Sequence, residues 1–322
     1  MKAAVLNRFG EAPVYQDFPD PQPEPHQALM QVKAASIKNI DRGRAAGTHY
    51  DSYGKLPAVV GIDGVGVLED GRRVYAMFSD GMIAEKAAVD LRCCIPLPGG
   101  IDDVTAAALP NPGLSAWFAL YYRAAIQPGD KVLIMGATGV TGRMAIQLAK
   151  YFGAGRIVAA GRNAAMLTQL PALGADAVIS LAQTEEQIAA VIQQEAAAGA
   201  FDIVIDYVWG RPAELLLDAI SGHDLNAAAH RTRYVQVGQM AGAAINLKAG
   251  ILRATAIELY GVGGGSVPKE VMEKVPTEIL PRLISLVADG TIKIETEAVP
   301  LAAVEAAWKR GDRDGKRTVV VM

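Results

Sequence analysis

The sequence predicts an α/β protein: a doubly wound parallel sheet inserted into a mostly β domain. Three observations carry this. From residue 131 onward six short apolar runs, at 131–135, 156–160, 177–181, 203–207, 233–237 and 256–262, mostly alternate with helical patterns. A chain of 322 residues is long for one hydrophobic core. Both ends of the chain read as strands rather than as helices.

In the first third, apolar or β-branched runs at 2–7, 28–35, 59–68, 73–78 and 83–89 are separated by Pro, Gly and Asp. Pro19, Pro21, Pro23 and Pro25 mark an extended connector in which no helix can form. Helical patterns at 105–109 and 114–124 lead into the alternating region. Its helices are expected at 142–151, 163–173, 185–198 and 213–220. Alternation of this kind builds a parallel sheet covered on both faces. A long helix over 269–289 follows, then strands at 295–299 and 318–322 with a helical stretch at 301–309 between them. The β-rich ends are therefore expected to form one domain around the inserted one.

Composition narrows the function. Apolar residues make up 51% and charged residues 20%, with a net charge of −3 and no basic stripe. Nucleic acid is not an expected partner, and a small-molecule substrate is. The amino-terminal residues do not read as a signal peptide, and no apolar stretch approaches the roughly 20 residues of a membrane span. Cys93 and Cys94 are adjacent and cannot close a loop. They read as two small, half-buried side chains in a soluble cytoplasmic protein.

The chemistry begins at Gly136-Ala137-Thr138-Gly139-Val140-Thr141-Gly142. A buried strand runs into a turn of small residues, and the turn opens a helix. Gly139 would let the backbone approach a diphosphate, and Gly142 would let the helix lie close to the sheet. The free amides and dipole at the helix start would hold the phosphates. Ala137 stands where the usual glycine pattern has its first Gly, so the strand–turn–helix context is what makes the motif specific. An NAD site ends its second strand with an acid that binds the ribose 2′-hydroxyl. Here that strand ends Gly161-Arg162-Asn163. Without the acid, and with a guanidinium in its place, NADPH is the expected cofactor. The alternative is that Arg162 is simply a solvated loop arginine.

These residues resemble the zinc-free quinone oxidoreductase branch of the medium-chain dehydrogenase/reductase superfamily, the zinc-type alcohol dehydrogenase-like enzymes. The likeness covers essentially the whole chain. It is carried by the opening Met1-Lys2-Ala3, by residues 35–41 (Ala-Ser-Ile-Lys-Asn-Ile-Asp), by residues 61–66 (Gly-Ile-Asp-Gly-Val-Gly), by residues 71–75 and by the glycine turn. The resemblance implies a Rossmann domain at 113–263, bracketed by a GroES-like catalytic domain at 1–112 and 264–322. It places Val237, Gly238, Gln239, Val262 and Gly263 beside the nicotinamide, and Ser115 near the cofactor, where an N-cap is the alternative role.

Zinc-dependent relatives carry Cys where this chain has Lys38 and His where it has Ile62, with a third ligand near Asn111. Lysine and isoleucine cannot complete such a shell, so no metal is expected. Hydride would then pass to an acceptor that needs little Lewis-acid help, a quinone or conjugated enone. Tyr50 stands about where relatives carry an active-site tyrosine, as proton donor or as a lining aromatic, with Tyr53 its competitor. His49 reads as a solvated loop residue. Asn39 matches an asparagine that contacts ribose or substrate, or makes an Asx-turn.

Asp41 and Asp63 read as structural acids, and Lys316 and Arg317 as solvated surface charges, the alternative being that they reach the cofactor from the terminal strand. Two family features lack a clear match: an adenine-stacking aromatic at Ser180-Leu181, and a lysine after the second strand. Two rivals remain: an enoyl-thioester reductase of the same superfamily and a non-catalytic NADPH-binding protein. Relatives pair edge strands as homodimers, and 234–237 and 256–262 include such an edge.

Overall fold

The computed structural model describes residues 1–222, 229–312 and 314–322. They form two compact units, Met1–Asn111 with Lys274–Met322, and Pro112–Glu273.

The first unit opens with β1 (Lys2–Leu6) and β2 (Val14–Asp17), and the extended proline connector leads to β3 (Gln27–Ser36). A short helix, α1 (Asn39–Ala46), follows. The apolar run at 59–68 is not one strand. It divides into β4 (Ala58–Val59) and β5 (Gly64–Leu68), because the chain turns at Gly61, whose φ is +99°. A Cβ there would lie 2.8 Å from the Ile83 side chain. The division sends β4 to pair with β1 and β5 to pair with β3. Then come β6 (Arg73–Ala76), β7 (Lys86–Asp90), β8 (Cys94–Pro96) and α2 (Asp103–Ala108). Asp102 caps α2, its carboxylate accepting the Thr105 N–H at 2.8 Å.

The second unit begins within α3 (Pro110–Trp117), which widens into a π-helical stretch over Phe118–Arg123. Its sheet strands are β9 (Lys131–Met135), β10 (Arg156–Gly161), β11 (Ala177–Ser180), β12 (Ile203–Asp206), β13 (Thr232–Gln236) and β14 (Ile257–Gly261). Every neighbouring pair is parallel, in the order β11-β10-β9-β12-β13-β14. This is the doubly wound order, which reverses direction between β9 and β12. β9 is fully buried along its length, as a central parallel strand must be.

Helix α4 (Val140–Tyr151) leaves β9. The helix expected at 163–173 is instead two turns, α5 (Ala164–Leu167) and α6 (Leu170–Leu173). Pro171 has no N–H to continue the ladder, so the helix restarts around it. α7 (Glu185–Ala197) starts in a capping box between Thr184 and Gln187. α8 (Gly210–Ala219) and α9 (Ala249–Ala254) precede β13 and β14 respectively.

The long helix expected at 269–289 is also divided. Its pieces are α10 (Lys269–Met272), a π-helical turn at Val275–Ile279, and α11 (Leu280–Ala288). Pro276 and Pro281 remove two donors, and their rings crowd the preceding turn. The chain re-enters the first unit at Lys274, so the π-helical turn and α11 belong there, followed by β15 (Thr296–Pro300), α12 (Val304–Arg310) and β16 (Arg317–Val321). β16 pairs antiparallel to β3, with Val319 opposite Ser36 and Val321 opposite Ala34. Trp308 and Val304 of α12 pack into the same core as Met30, Val74 and Ile83. Among the described residues no helix is long and apolar enough to cross a membrane.

Candidate functional site

The carboxyl ends of the second unit's strands share one edge of the sheet, and most of the expected cofactor residues stand there. β9 ends at Met135, and Gly136 turns the chain with a φ of +82°. The Gly136 and Ala137 amides both donate to the Ala160 carbonyl, at 2.9 and 2.8 Å. That ties the bend to the neighbouring strand.

The two glycines of the bend do different work. A Cβ on Gly142 would lie 2.4 Å from the Gly136 carbonyl oxygen and 2.6 Å from the Ala137 Cα, so only glycine lets α4 approach this closely. A Cβ on Gly139 would meet only the Gly136 oxygen, at 3.5 Å. Gly139 is exposed, and its bareness serves nothing inside the protein. It leaves backbone open to an approaching group.

Helix α4 has no side-chain cap. Its first turn closes with the Arg143 N–H donating to the Gly139 carbonyl at 2.9 Å. The amides of Val140, Thr141 and Gly142 precede that bond and have no carbonyl within the helix. Open backbone and unsatisfied amides at a helix start fit a diphosphate.

β10 ends against the same bend. A Cβ on Gly161 would lie 2.4 Å from the Thr138 methyl, so the missing side chain lets bend and strand end touch. Arg162 follows directly and is exposed. Among the described residues no ion pair is recorded for it. The Asn163 side chain is engaged as the cap of α5, accepting the Met166 N–H at 3.2 Å.

Beyond the reversal, Asp206 organises the edge. It is fully buried, and burial raises its carboxyl above the usual range against the donors that surround it. One oxygen accepts the Val208 and Trp209 amides at 2.8 and 3.0 Å, and the other accepts the Tyr234 hydroxyl at 2.7 Å. Its carbonyl accepts the amides of Val237 and Gly238 at 2.8 and 3.1 Å. The turn it holds puts Trp209 at a φ of +54°, a strained value for a side chain of that size. Val262 bonds to the Gln236 carbonyl at 2.9 Å, and the Gly263 amide donates to the Ser266 hydroxyl at 3.0 Å. Val237, Gly238, Gln239, Val262 and Gly263 thus continue the edge begun by the bend.

Sequence reasoning missed Tyr207, the residue after β12. It lies among these turns, facing Ser115 of α3. An aromatic at the end of an apolar run reads as core, and only the following Trp-Gly pair hinted at an unusual turn.

Asn39 and Tyr50 belong to the first unit. Asn39 opens α1, and α1 ends at Gly47, whose φ is +72°. Tyr50 is 81% exposed and lies against His49, with ring centroids 4.1 Å apart. Tyr53 is buried, its ring under the Arg44 guanidinium at 4.5 Å. Burial pushes the Tyr53 phenol well up.

Lys38, where zinc-dependent relatives carry cysteine, is fully buried. Its ammonium lies 3.1 Å from Asp41, 2.9 Å from Asp63 and 2.8 Å from the Ser36 carbonyl. Burial alone would lower its pKa, but the two carboxylates outweigh burial and hold it above the ordinary lysine value. Asp63 is raised by burial, and the Tyr75 phenol donates to it. Asp41 and Asp63 are therefore structural acids. Arg317 differs from expectation. It is buried rather than solvated, donating to the Ile37 carbonyl at 3.0 Å and pairing with Asp312 at 3.1 Å. Cys93 and Cys94 are free, and burial pushes the Cys94 thiol up to about 11.

Residues 140–279 match the family model described as zinc-binding dehydrogenase. Over 100% of both chains the protein is 27% identical to a probable NADPH-dependent quinone reductase of Emericella nidulans. It is also 27% identical to the quinone oxidoreductase of Sus scrofa, over 85% of this chain and 84% of that one. Among solved structures, the quinone oxidoreductase from Thermus thermophilus superposes with a TM-score of 0.79 at 27% identity, covering 100% of both chains. With the sheet order, the glycine bend and these full-length likenesses together, the chain is similar throughout its length to quinone oxidoreductases of the medium-chain dehydrogenase/reductase superfamily.

Proposed function

We propose that this protein is an NADPH-dependent oxidoreductase that reduces a quinone or conjugated enone without a metal ion. The observation that carries the reading is the open backbone at Gly139 beside three helix-start amides that have no carbonyl partner within the helix, with exposed Arg162 on the adjoining strand end. When bound, the reduced nicotinamide supplies hydride. The chain's own residues bind and orient it. Gly136–Gly142 receive the diphosphate, Arg162 with Gly161 and Asn163 the 2′-phosphate, and the edge from Val237 to Gly263 the nicotinamide half. Tyr50 is the proposed proton donor to the reduced acceptor, and Asn39 the proposed contact to ribose or substrate.

A metal-free site is supported by the donor set. Lys38 presents an ammonium already committed to Asp41 and Asp63, and Ile62 offers no donor. The full-length relative in Emericella nidulans is named for NADPH and quinone, which supports both assignments. We further place the protein in the cytoplasm as a homodimer joined through β14, the outer strand of the parallel sheet.

The test is a panel of quinones, enones and enoyl thioesters with NADPH and NADH. Consumption of NADPH by quinones or enones, with NADH much slower, is the expected result. Preference for a crotonyl thioester would move the assignment to an enoyl-thioester reductase. Tight NADPH binding with no acceptor reduced would make the protein a non-catalytic binder.

A further inference from the structure

Resting on the NADPH reading above, we infer that Tyr207, with Ser115 beside it, is the hydrogen-bonding anchor for the nicotinamide end of the dinucleotide. Its place in the sheet is the first argument. Tyr207 directly follows β12, where the strand order reverses, and ligands of doubly wound sheets bind outside the carboxyl ends of the strands at that reversal. Arg162 marks the β10 side for the phosphate-bearing adenosine half. The other half must then run across the ends of β12, β13 and β14, and Tyr207 stands at the end of the first of these.

The second argument is how firmly the residue is held. The Tyr207 amide donates to the Met135 carbonyl at 3.2 Å. A Cβ on Gly136 would lie 3.2 Å from the Tyr207 Cβ, and one on Gly238 would lie 2.4 Å from the Tyr207 carbonyl oxygen. Glycines on both sides make room for this residue, and the Asp206 carboxylate fixes the turn that follows. Such fixation suits a group that must meet a ligand in one orientation.

The third argument is the phenol itself. Tyr207 is only 8% exposed, yet its hydroxyl has no hydrogen-bond partner among the described residues. Ser115 is near enough to oppose the rise that burial imposes on the phenol, but no bond of ordinary geometry joins the two. Buried hydroxyls are nearly always paired, so an unpaired one at a ligand-binding edge calls for a partner from outside. Burial keeps the phenol protonated, so it donates. The carboxamide oxygen of nicotinamide is the acceptor that this end of the dinucleotide brings.

The experiment compares two ligands. NADPH carries the nicotinamide, whereas 2′,5′-ADP has the adenosine and 2′-phosphate without it. Dissociation constants are measured by calorimetry for wild type, Tyr207→Phe and Ser115→Ala, with nicotinamide fluorescence of bound NADPH as a second readout. Tyr207→Phe keeps the ring and loses only the hydroxyl. We expect it to weaken NADPH about fivefold and shift the bound emission, leaving 2′,5′-ADP unchanged. Ser115→Ala should act in the same direction. NADPH bound equally by wild type and Tyr207→Phe, or both ligands weakened alike, would overturn the assignment. If Tyr207→Phe did not fold, the Ser115→Ala ratio between the two ligands would decide in the same way. Wild type binding neither ligand would instead bring down the NADPH reading itself.

Discussion

The two units deal with charge in opposite ways. Around Lys38 the first unit has sealed a cation among two carboxylates and a phenol, out of reach of solvent. Along the sheet edge of the second unit, side chains are missing where a ligand would come closest. Gly139 is bare and exposed, and the amides behind it have no carbonyl partner within the helix. A buried ion pair completes itself and leaves nothing for a ligand, whereas an open set of amides is complete only when an anion arrives. Lys38 is thus part of the framework of the first unit, and the open amides lie in the second.

The largest expected effect tests the sealed side. Lys38→Met leaves Asp41 and Asp63 buried without their cation and should cost about 3–5 kcal/mol of stability, measured by urea unfolding. A variant as stable as wild type would break the comparison. The same pair of proteins gives a pH signature. Because the Lys38 pKa is raised in the folded state, its stabilisation is fully present below the ordinary lysine value of 10.5 and is lost as pH rises through the folded value. The gap between wild type and Lys38→Met should stay level from about pH 7 to 10 and narrow above that.

The open side is sharpened by two alanines. Gly139→Ala should leave stability within about 0.5 kcal/mol of wild type, yet weaken NADPH roughly 10- to 100-fold, as lost charge-assisted contacts imply. Gly142→Ala should instead destabilise the fold by about 1–3 kcal/mol, since its neighbours are backbone atoms that cannot step aside. Thermal melting and NADPH titration on both proteins separate the two roles. The smallest effect is expected at Arg162→Ala: about a tenfold loss for NADPH and none for NADH. Equal losses for both cofactors would remove Arg162 from the 2′-phosphate site.

Much of the open edge was legible in sequence. The buried run of β9 matches the structure residue for residue, and glycines at a strand–helix junction have a local physical meaning. The sealed cluster was less so. Lys38 and Asp63 meet only because β3 and β5 pair, and a lone lysine in an apolar segment does not announce its partners. α1 was missed for a related reason. Its polar residues Asp41 and Arg44 are buried by charge pairing, so no apolar stripe marks it. Tyr207 depended on Gly136, Gly238 and Ser115, which the fold assembles from distant stretches of chain. Pro171, Pro276 and Pro281 were visible, but apolar periodicity ran through them and masked the breaks.

The placement of β16 between β15 and β3 bears on how the protein is made. The second unit is continuous in the chain, and its last strand is complete at Gly261. On the ribosome it can therefore close its sheet while the first unit still lacks an interior strand. Until Arg317–Val321 emerges, the Ala34–Ser36 end of β3 lacks its β16 partner and apolar surface meant for α12 stays exposed. The nascent chain thus passes through a stage with one finished half and one sticky half, and that is the stage at which a chaperone would engage it.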